Sequence, residues 1–109
     1  MEKRVVITGL GAVTPVGIGK EAFYEALLAG KSGIGPITHF DASEYATRIA
    51  GEVKDFDITQ FGVEKKEARR MDRSSAFSIA AAVMALQDSK LDLDEEDRDR
   101  CGTIVGTGI

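Results

Sequence analysis

Near its start the chain carries Val5-Val6-Ile7-Thr8, a β-branched run with no polar alternation. Such a run predicts a strand covered on both faces, as in a parallel or mixed α/β sheet. Gly9-Leu10-Gly11 breaks it, and Thr14-Pro15-Val16-Gly17 continues as loop. Ala22, Phe23, Ala26, Leu27 and Ala29 then recur at helical spacing, with Gly30 placed as a helix-ending glycine. A helix is expected at about 20–29. Residues 30–45 are rich in Gly and Pro and predict loop, with one helical turn at Asp41-Ala42-Ser43-Glu44, which has capping-box spacing. Thr47 to Val53 predicts a short strand weakened by Gly51, and Asp57 to Phe61 a single turn.

Glu64 to Arg70 is a charged helical stretch, after which Asp72 is placed to cap a new helix. From Ala76 to Leu86 only Ser78 is polar, and five of the residues are alanine. A helix apolar all round is expected to be buried on all sides. Its alanines allow neighbouring backbones to approach closely. It should end near Ser89-Lys90. Asp92 to Arg100 predicts an acidic, solvated turn, and Cys101 to Val105 another strand. A strand and a helix that both need covering imply more chain than is present. The expectation is therefore the N-terminal portion of a larger α/β domain.

Composition narrows the class. The 109 residues carry 14 Lys+Arg against 18 Asp+Glu, a net charge of −4. That balance argues against a general nucleic-acid binder, though not against a local basic patch. With one cysteine no internal disulfide can form, which excludes a disulfide-stapled secreted scaffold. No apolar run reaches the ~18 residues that span a bilayer, and the N-terminal run is too short for a secretory signal. A reducing cytoplasm is the expected location, with no membrane partner.

Several motifs resolve into simpler features. Gly30-Lys31-Ser32 lacks the glycine that a phosphate-binding loop needs five residues earlier, where Glu25 stands. Gly9-Leu10-Gly11 follows a strand as a dinucleotide fingerprint does, but Thr14 replaces the third glycine and Pro15 stops a helix from starting there. The acidic run from Asp92 has neither the glycine nor the chelating glutamate of a calcium loop. Cys101 and His39 are the single thiol and the single imidazole. A nucleophilic pair is one reading of them. A small buried thiol opening an apolar strand, with a surface histidine elsewhere, is the other. The basic cluster Lys65, Lys66, Arg69, Arg70 and Arg73 places the last four at i, i+3, i+4, i+7, on one helix side. It reads either as a solvated helix face or as a docking patch for an acidic partner.

The order of segments adds a resemblance. Arg4-Val5-Val6-Ile7-Thr8-Gly9-Leu10-Gly11, Thr14-Pro15-Val16-Gly17 and Leu28-Ala29-Gly30-Lys31-Ser32-Gly33-Ile34 resemble the opening of the β-ketoacyl-acyl-carrier-protein synthases, the condensing enzymes of fatty-acid synthesis. His39-Phe40-Asp41, Ala50-Gly51-Glu52-Val53, Arg70-Met71-Asp72-Arg73 and Gly106-Thr107-Gly108-Ile109 continue the likeness across all 109 residues. The synthase II branch is the nearest in pattern.

The resemblance implies an α/β chain of thiolase-like fold, with α-β-α-β-α layers, in which residues 1–109 form the N-terminal part of the first half. It implies decarboxylative Claisen condensation of acyl- with malonyl-carrier protein, no cofactor, a homodimer, and acyl carrier protein and the remainder of the enzyme as partners. The family's nucleophilic cysteine and two histidines match neither Cys101 nor His39, so no catalytic residue is expected within 1–109. Lys66, Arg69 and Arg70, with Lys65 beside them, match the family's carrier-protein docking helix. Ile109 matches a residue that lines the acyl pocket. The alternatives are a non-catalytic carrier-protein-binding subunit like the chain-length factors, and an unrelated nucleotide-binding α/β domain.

Overall fold

The protein is described here from a computed structural model, over residues 1–108. Two short antiparallel pairs and two longer helices organise it. β1 (Val13–Thr14) pairs with β2 (Gly17–Ile18), closing the loop around Pro15. The Thr14 hydroxyl fixes this turn by donating to the Gly17 carbonyl at 2.7 Å. α1 (Lys20–Leu28) follows, within one residue of the expected helix. It ends as the glycine signal required. Gly30 has φ +66°, Lys31 N–H donates to the Ala26 carbonyl and Gly30 N–H to that of Leu27, the paired bonds of a Schellman end.

β3 (Ile34–Pro36) pairs antiparallel with β4 (Ile49–Gly51), with Gly35 opposite Ala50. The strand at β4 was expected, whereas β3 falls in the stretch expected to be loop. Gly35 and Pro36 hide a strand from any pattern count, yet among the described residues β3 pairs with β4 alone and needs little ladder bonding. Asp41 makes a local turn, accepting from Ser43 N–H at 3.0 Å, and starts no helix. A 3₁₀ turn at Ile58–Phe61 then leads through Gly62, at φ +86°, to α2 (Lys65–Ala68) and α3 (Arg73–Ser89).

Asp72 caps α3 as expected, its Oδ1 accepting from Ser75 N–H at 3.0 Å. The core gathers on this helix: Ile58, Ala76 and Ala80 are buried, with Val13, Phe56, Phe61 and Ala68 packed against them. The small side chains of α3 admit close backbone approach, as its alanines suggested. Gly9 and Gly11 lie directly against the α3 carbonyls of Ala85 and Ala81.

Three expectations are corrected. Val5–Thr8 forms no strand and is exposed, with Val5 at 94% and Ile7 at 81%. Cys101–Val105 likewise forms no strand, and Ile104 is fully exposed. A strand exists only by pairing, and neither segment pairs with a neighbouring strand among the described residues. α3 is not buried all round either: of its apolar stretch only Ala76 and Ala80 are buried, and Leu86 is exposed. Ile7 and Ile104 instead line one open groove with Ala82, Leu86 and Leu91. Among the described residues no helix is long and apolar enough to cross a membrane.

Candidate docking surface

The residues between Phe61 and Arg73 form the most basic stretch of the chain, and the core decides which way they face. Ala68 and Met71 pack inward against the cluster built on Ile58, Ala76 and Ala80. Phe56 closes the same wall, stacked on Phe61 at 6.0 Å between ring centres and edge-on to Phe77 at 5.0 Å. With those positions committed inward, Lys65, Lys66, Arg69 and Arg70 are left exposed. Two turn bonds hold the strip: Arg69 N–H donates to the Lys65 carbonyl at 3.2 Å and Arg70 N–H to that of Glu67 at 2.9 Å. None of the four cations lies within ion-pair distance of a carboxylate among the described residues.

The expected single helix side is corrected in one respect. α2 ends at Ala68 and α3 begins at Arg73, with a turn between them. Arg73 thereby leaves the strip. Its guanidinium donates to the Val53 carbonyl at 2.9 Å and lies over the Phe77 ring, 4.9 Å from the centre. Three of the remaining four cations border two depressions. Lys65 and Arg69 line one with Asp57, Thr59 and Ala68. Arg70 lines the other with Glu67, Met71, Asp72 and Ser75.

The thiol and the imidazole are kept apart. Cys101 is exposed, and its Sγ lies 3.5 Å from the Asp97 carbonyl oxygen. The expectation that it is a small buried thiol is corrected, because the strand meant to bury it does not form. His39 is a surface residue, as expected, with Nε2 3.8 Å from Glu52 Oε1. Neither residue has the other as a hydrogen-bond partner among the described residues, so no nucleophilic pair is assembled. Ile109, expected to line an acyl pocket, lies outside the described residues.

Two polar clusters escaped the sequence reading. The Glu52 carboxylate accepts from Thr38 N–H at 3.0 Å, from the Thr38 hydroxyl at 2.7 Å and from His39 N–H at 3.3 Å. These bonds, the Thr38 hydroxyl foremost, hold its carboxyl below the usual range. The Asp88 carboxylate takes the Lys20 ammonium on Oδ1 and the Leu10 N–H, at 3.0 Å, on Oδ2. Lys20 holds it below the ordinary aspartate value, and it in turn raises the lysine. Both clusters join residues far apart in sequence, which no local spacing signals.

Residues 2–109 match the N-terminal domain of β-ketoacyl synthases. The chain belongs to the β-ketoacyl synthase family. It is 52% identical over 108 residues to a 3-oxoacyl-[acyl-carrier-protein] synthase 2 of Synechocystis, covering 99% of this chain and 26% of that one. A synthase of the same name from Vibrio harveyi is 49% identical with the same coverage. One from Staphylococcus aureus is 46% identical over 107 residues, 98% of this chain and 26% of its own. The chain thus spans about a quarter of the length of these relatives. A solved structure of the ishigamide ketosynthase/chain length factor superposes with a TM-score of 0.71 at 36% identity, over 83% of this chain and 22% of that one. The β-ketoacyl synthase segment therefore shares the thiolase-like ketosynthase fold. The nucleotide-binding alternative finds no support beside that match.

Proposed function

We propose that residues 1–109 are the N-terminal part of the first half of a 3-oxoacyl-[acyl-carrier-protein] synthase, acting in the cytoplasm as a homodimer. The observation that carries this is the 52% identity along 99% of the chain to a synthase of that name. The reaction is a decarboxylative Claisen condensation. A malonyl thioester loses CO₂, the carbanion left behind attacks an acyl thioester, the thiolate departs, and a 3-oxoacyl thioester results. The nucleophile and the histidines of that chemistry lie outside these residues, and no cofactor enters the balance.

Within the segment, the contribution is docking. Lys65, Lys66, Arg69 and Arg70 form an exposed strip of four cations, none of them ion-paired among the described residues, in a protein of net charge −4. Acyl carrier protein, an acidic partner, is what such a strip fits. Charges of this kind steer encounter and set its salt dependence, while the chemistry proceeds elsewhere.

The test is the double substitution Arg69→Glu/Arg70→Glu in the full-length synthase. It should lower kcat/KM for carrier-protein substrates by about tenfold or more at low salt, and less as salt rises. It should leave kcat/KM for a small acyl thioester near wild type. Equal losses with both substrates would show that the strip is structural and end the docking assignment. The residue opening the helix at the family's nucleophile position decides the remaining question. A cysteine there supports the enzyme, and any other residue a non-catalytic subunit.

A further inference from the structure

Spacing alone groups Arg73 with Lys66, Arg69 and Arg70, yet its contacts are of another kind. Its guanidinium donates to the Val53 carbonyl at 2.9 Å, across 20 positions of sequence. The loop closed by that bond contains the 3₁₀ turn 58–61, α2 and all four cations of the docking strip. Arg73 opens α3, so the bond ties the start of that helix to the segment leaving β4.

Both ends of this clasp are held. Val53 follows Glu52, whose side chain is only 8% exposed. The Glu52 carboxylate accepts from Thr38 N–H at 3.0 Å, the Thr38 hydroxyl at 2.7 Å and His39 N–H at 3.3 Å. At the other end the guanidinium lies over the Phe77 ring, 4.9 Å from its centre. Phe77 meets Phe56 edge-on at 5.0 Å, and Phe56 stacks on Phe61 at 6.0 Å. Phe56 and Phe61 belong to the closed loop, and pack with Ala68 and Met71 against Ile58, Ala76 and Ala80. Rings in contact thus lead from the arginine to the apolar cluster on which Ala68 of α2 rests.

The residue type matters. A planar guanidinium can stack on a ring face while directing an N–H at a carbonyl, whereas a lysine ammonium is a compact, hydrated point charge. The bond is exposed, so it adds little to global stability, and its effect is to remove freedom from the loop it closes. Freedom in that loop is freedom of Lys65, Lys66, Arg69 and Arg70. Cations already in place spare a binding partner the cost of ordering them.

We infer that Arg73 is a positioning residue of the docking surface: its clasp on Val53, seated on Phe77, holds the 53–73 loop so that the four cations between 65 and 70 are presented in one arrangement. Arg73 acts through that loop and not as a fifth charge toward the partner. The inference rests on the docking role proposed above.

The experiment uses the full-length synthase, with carrier-protein substrates and a small acyl thioester. Arg73→Lys keeps the charge and gives up the fork and the stacking. Arg73→Gln gives up the charge as well. Both should raise KM for carrier-protein substrates by about threefold to fivefold, with kcat and the small-thioester kcat/KM within about twofold of wild type. The lysine variant should keep the wild-type salt dependence of KM, since no charge is lost. Hydrogen exchange gives a second measurement. The Arg69 and Arg70 amides, bonded to the Lys65 and Glu67 carbonyls, should exchange about tenfold faster in both variants, and the interior of α3 should not change. A lysine variant with wild-type KM, beside a glutamine variant whose KM rises at low salt alone, would make Arg73 one more steering cation and overturn the clasp. A lower melting temperature with unchanged KM in both variants would make it structural only, and overturn the role equally. Arg69→Glu/Arg70→Glu separates the two failures. Where it leaves carrier-protein kinetics intact, docking falls and the Arg73 role with it. Where it weakens carrier-protein binding while Arg73→Lys is silent, docking stands and the Arg73 role alone falls.

Discussion

The backbone of Gly11 lies directly against that of Ala81: a Cβ on the glycine would stand 2.0 Å from the alanine carbonyl oxygen. Gly9 stands in the same relation to Ala85, at 2.2 Å. The glycine cluster after the first β-branched run therefore serves packing, not nucleotide binding. It lets the N-terminal loop settle onto the α3 backbone, which small side chains alone permit.

Gly11→Ala should consequently destabilise the fold by about 2–3 kcal/mol, since the backbone it meets cannot rotate away as a side chain would. Gly35→Ala is the control. It sits in a strand with open space around a built Cβ, and should shift stability by no more than about 0.5 kcal/mol. Urea unfolding of the two variants measures the difference, and similar midpoints would contradict the close approach.

The α3 cap gives a second prediction. Asp72→Ala leaves the Ser75 N–H without its acceptor and frees the Ser74 hydroxyl. The helix should fray over its first turn and the melting temperature fall by about 2–4 °C. Asp72→Ser should recover most of the loss. Circular dichroism on the pair separates capping from charge, because serine restores the acceptor and not the anion.

Acid should loosen the fold through its hydrogen-bonded carboxylates. Glu52 and Asp88 both have folded values below their ordinary 4.5 and 3.8. A lowered folded value means stability that is present above the unfolded value and lost as pH falls through the folded one. The melting temperature should therefore be flat above about pH 5 and decline below about pH 4.5. Glu52→Gln, which cannot titrate, should be less stable at pH 7 and flatter in acid. An unchanged acid slope in that variant would mean the Thr38 and His39 bonds to Glu52 are not made in solution.

Cys101 should be dispensable. Its thiol is exposed, with Sγ 3.5 Å from the Asp97 carbonyl oxygen and no hydrogen bond to an imidazole among the described residues. Cys101→Ser should change stability by less than about 0.5 kcal/mol and leave acyl-enzyme formation by the full-length synthase near wild type. Loss of acylation in a folded variant would place the nucleophile here after all.

What the sequence showed and what it hid follow one division. α1 with its Gly30 end, the 3₁₀ turn and α3 with its Asp72 cap were legible, because each is decided by residues within one turn of one another. The ends of the basic strip were not. Helical spacing carried Arg73 onto the same face, but the turn before Asp72 starts a new helix and Val53 and Phe77 take the arginine. The Lys20–Asp88 and Thr38–Glu52 contacts join residues 68 and 14 positions apart, and no period connects them. The strands expected at Val5–Thr8 and Cys101–Val105 failed for another reason. Their residues have the composition of strands, but pairing is a property of neighbours, and none is described for them.

Those two segments give the last prediction. Val5, Val6, Ile7, Ile104 and Val105 are all exposed, and Ile7 and Ile104 face one groove on α3. A contiguous apolar surface of this kind binds hydrophobic dye and favours association. In a full-length synthase the same residues are strands covered on both faces, if the proposed assignment of this segment is right. Replacing Ile7 and Ile104 by Ser should then have opposite consequences in the two settings. The 109-residue chain should become more soluble and bind less dye, because surface apolar area is removed. The full-length protein should lose about 2 kcal/mol or more for each isoleucine, because buried apolar area is removed and a hydroxyl is left in its place. Destabilisation in both settings would mean that the groove is already closed in the chain by itself. Improvement in both would mean that these segments face solvent in the whole protein, and that the strands are not built from them.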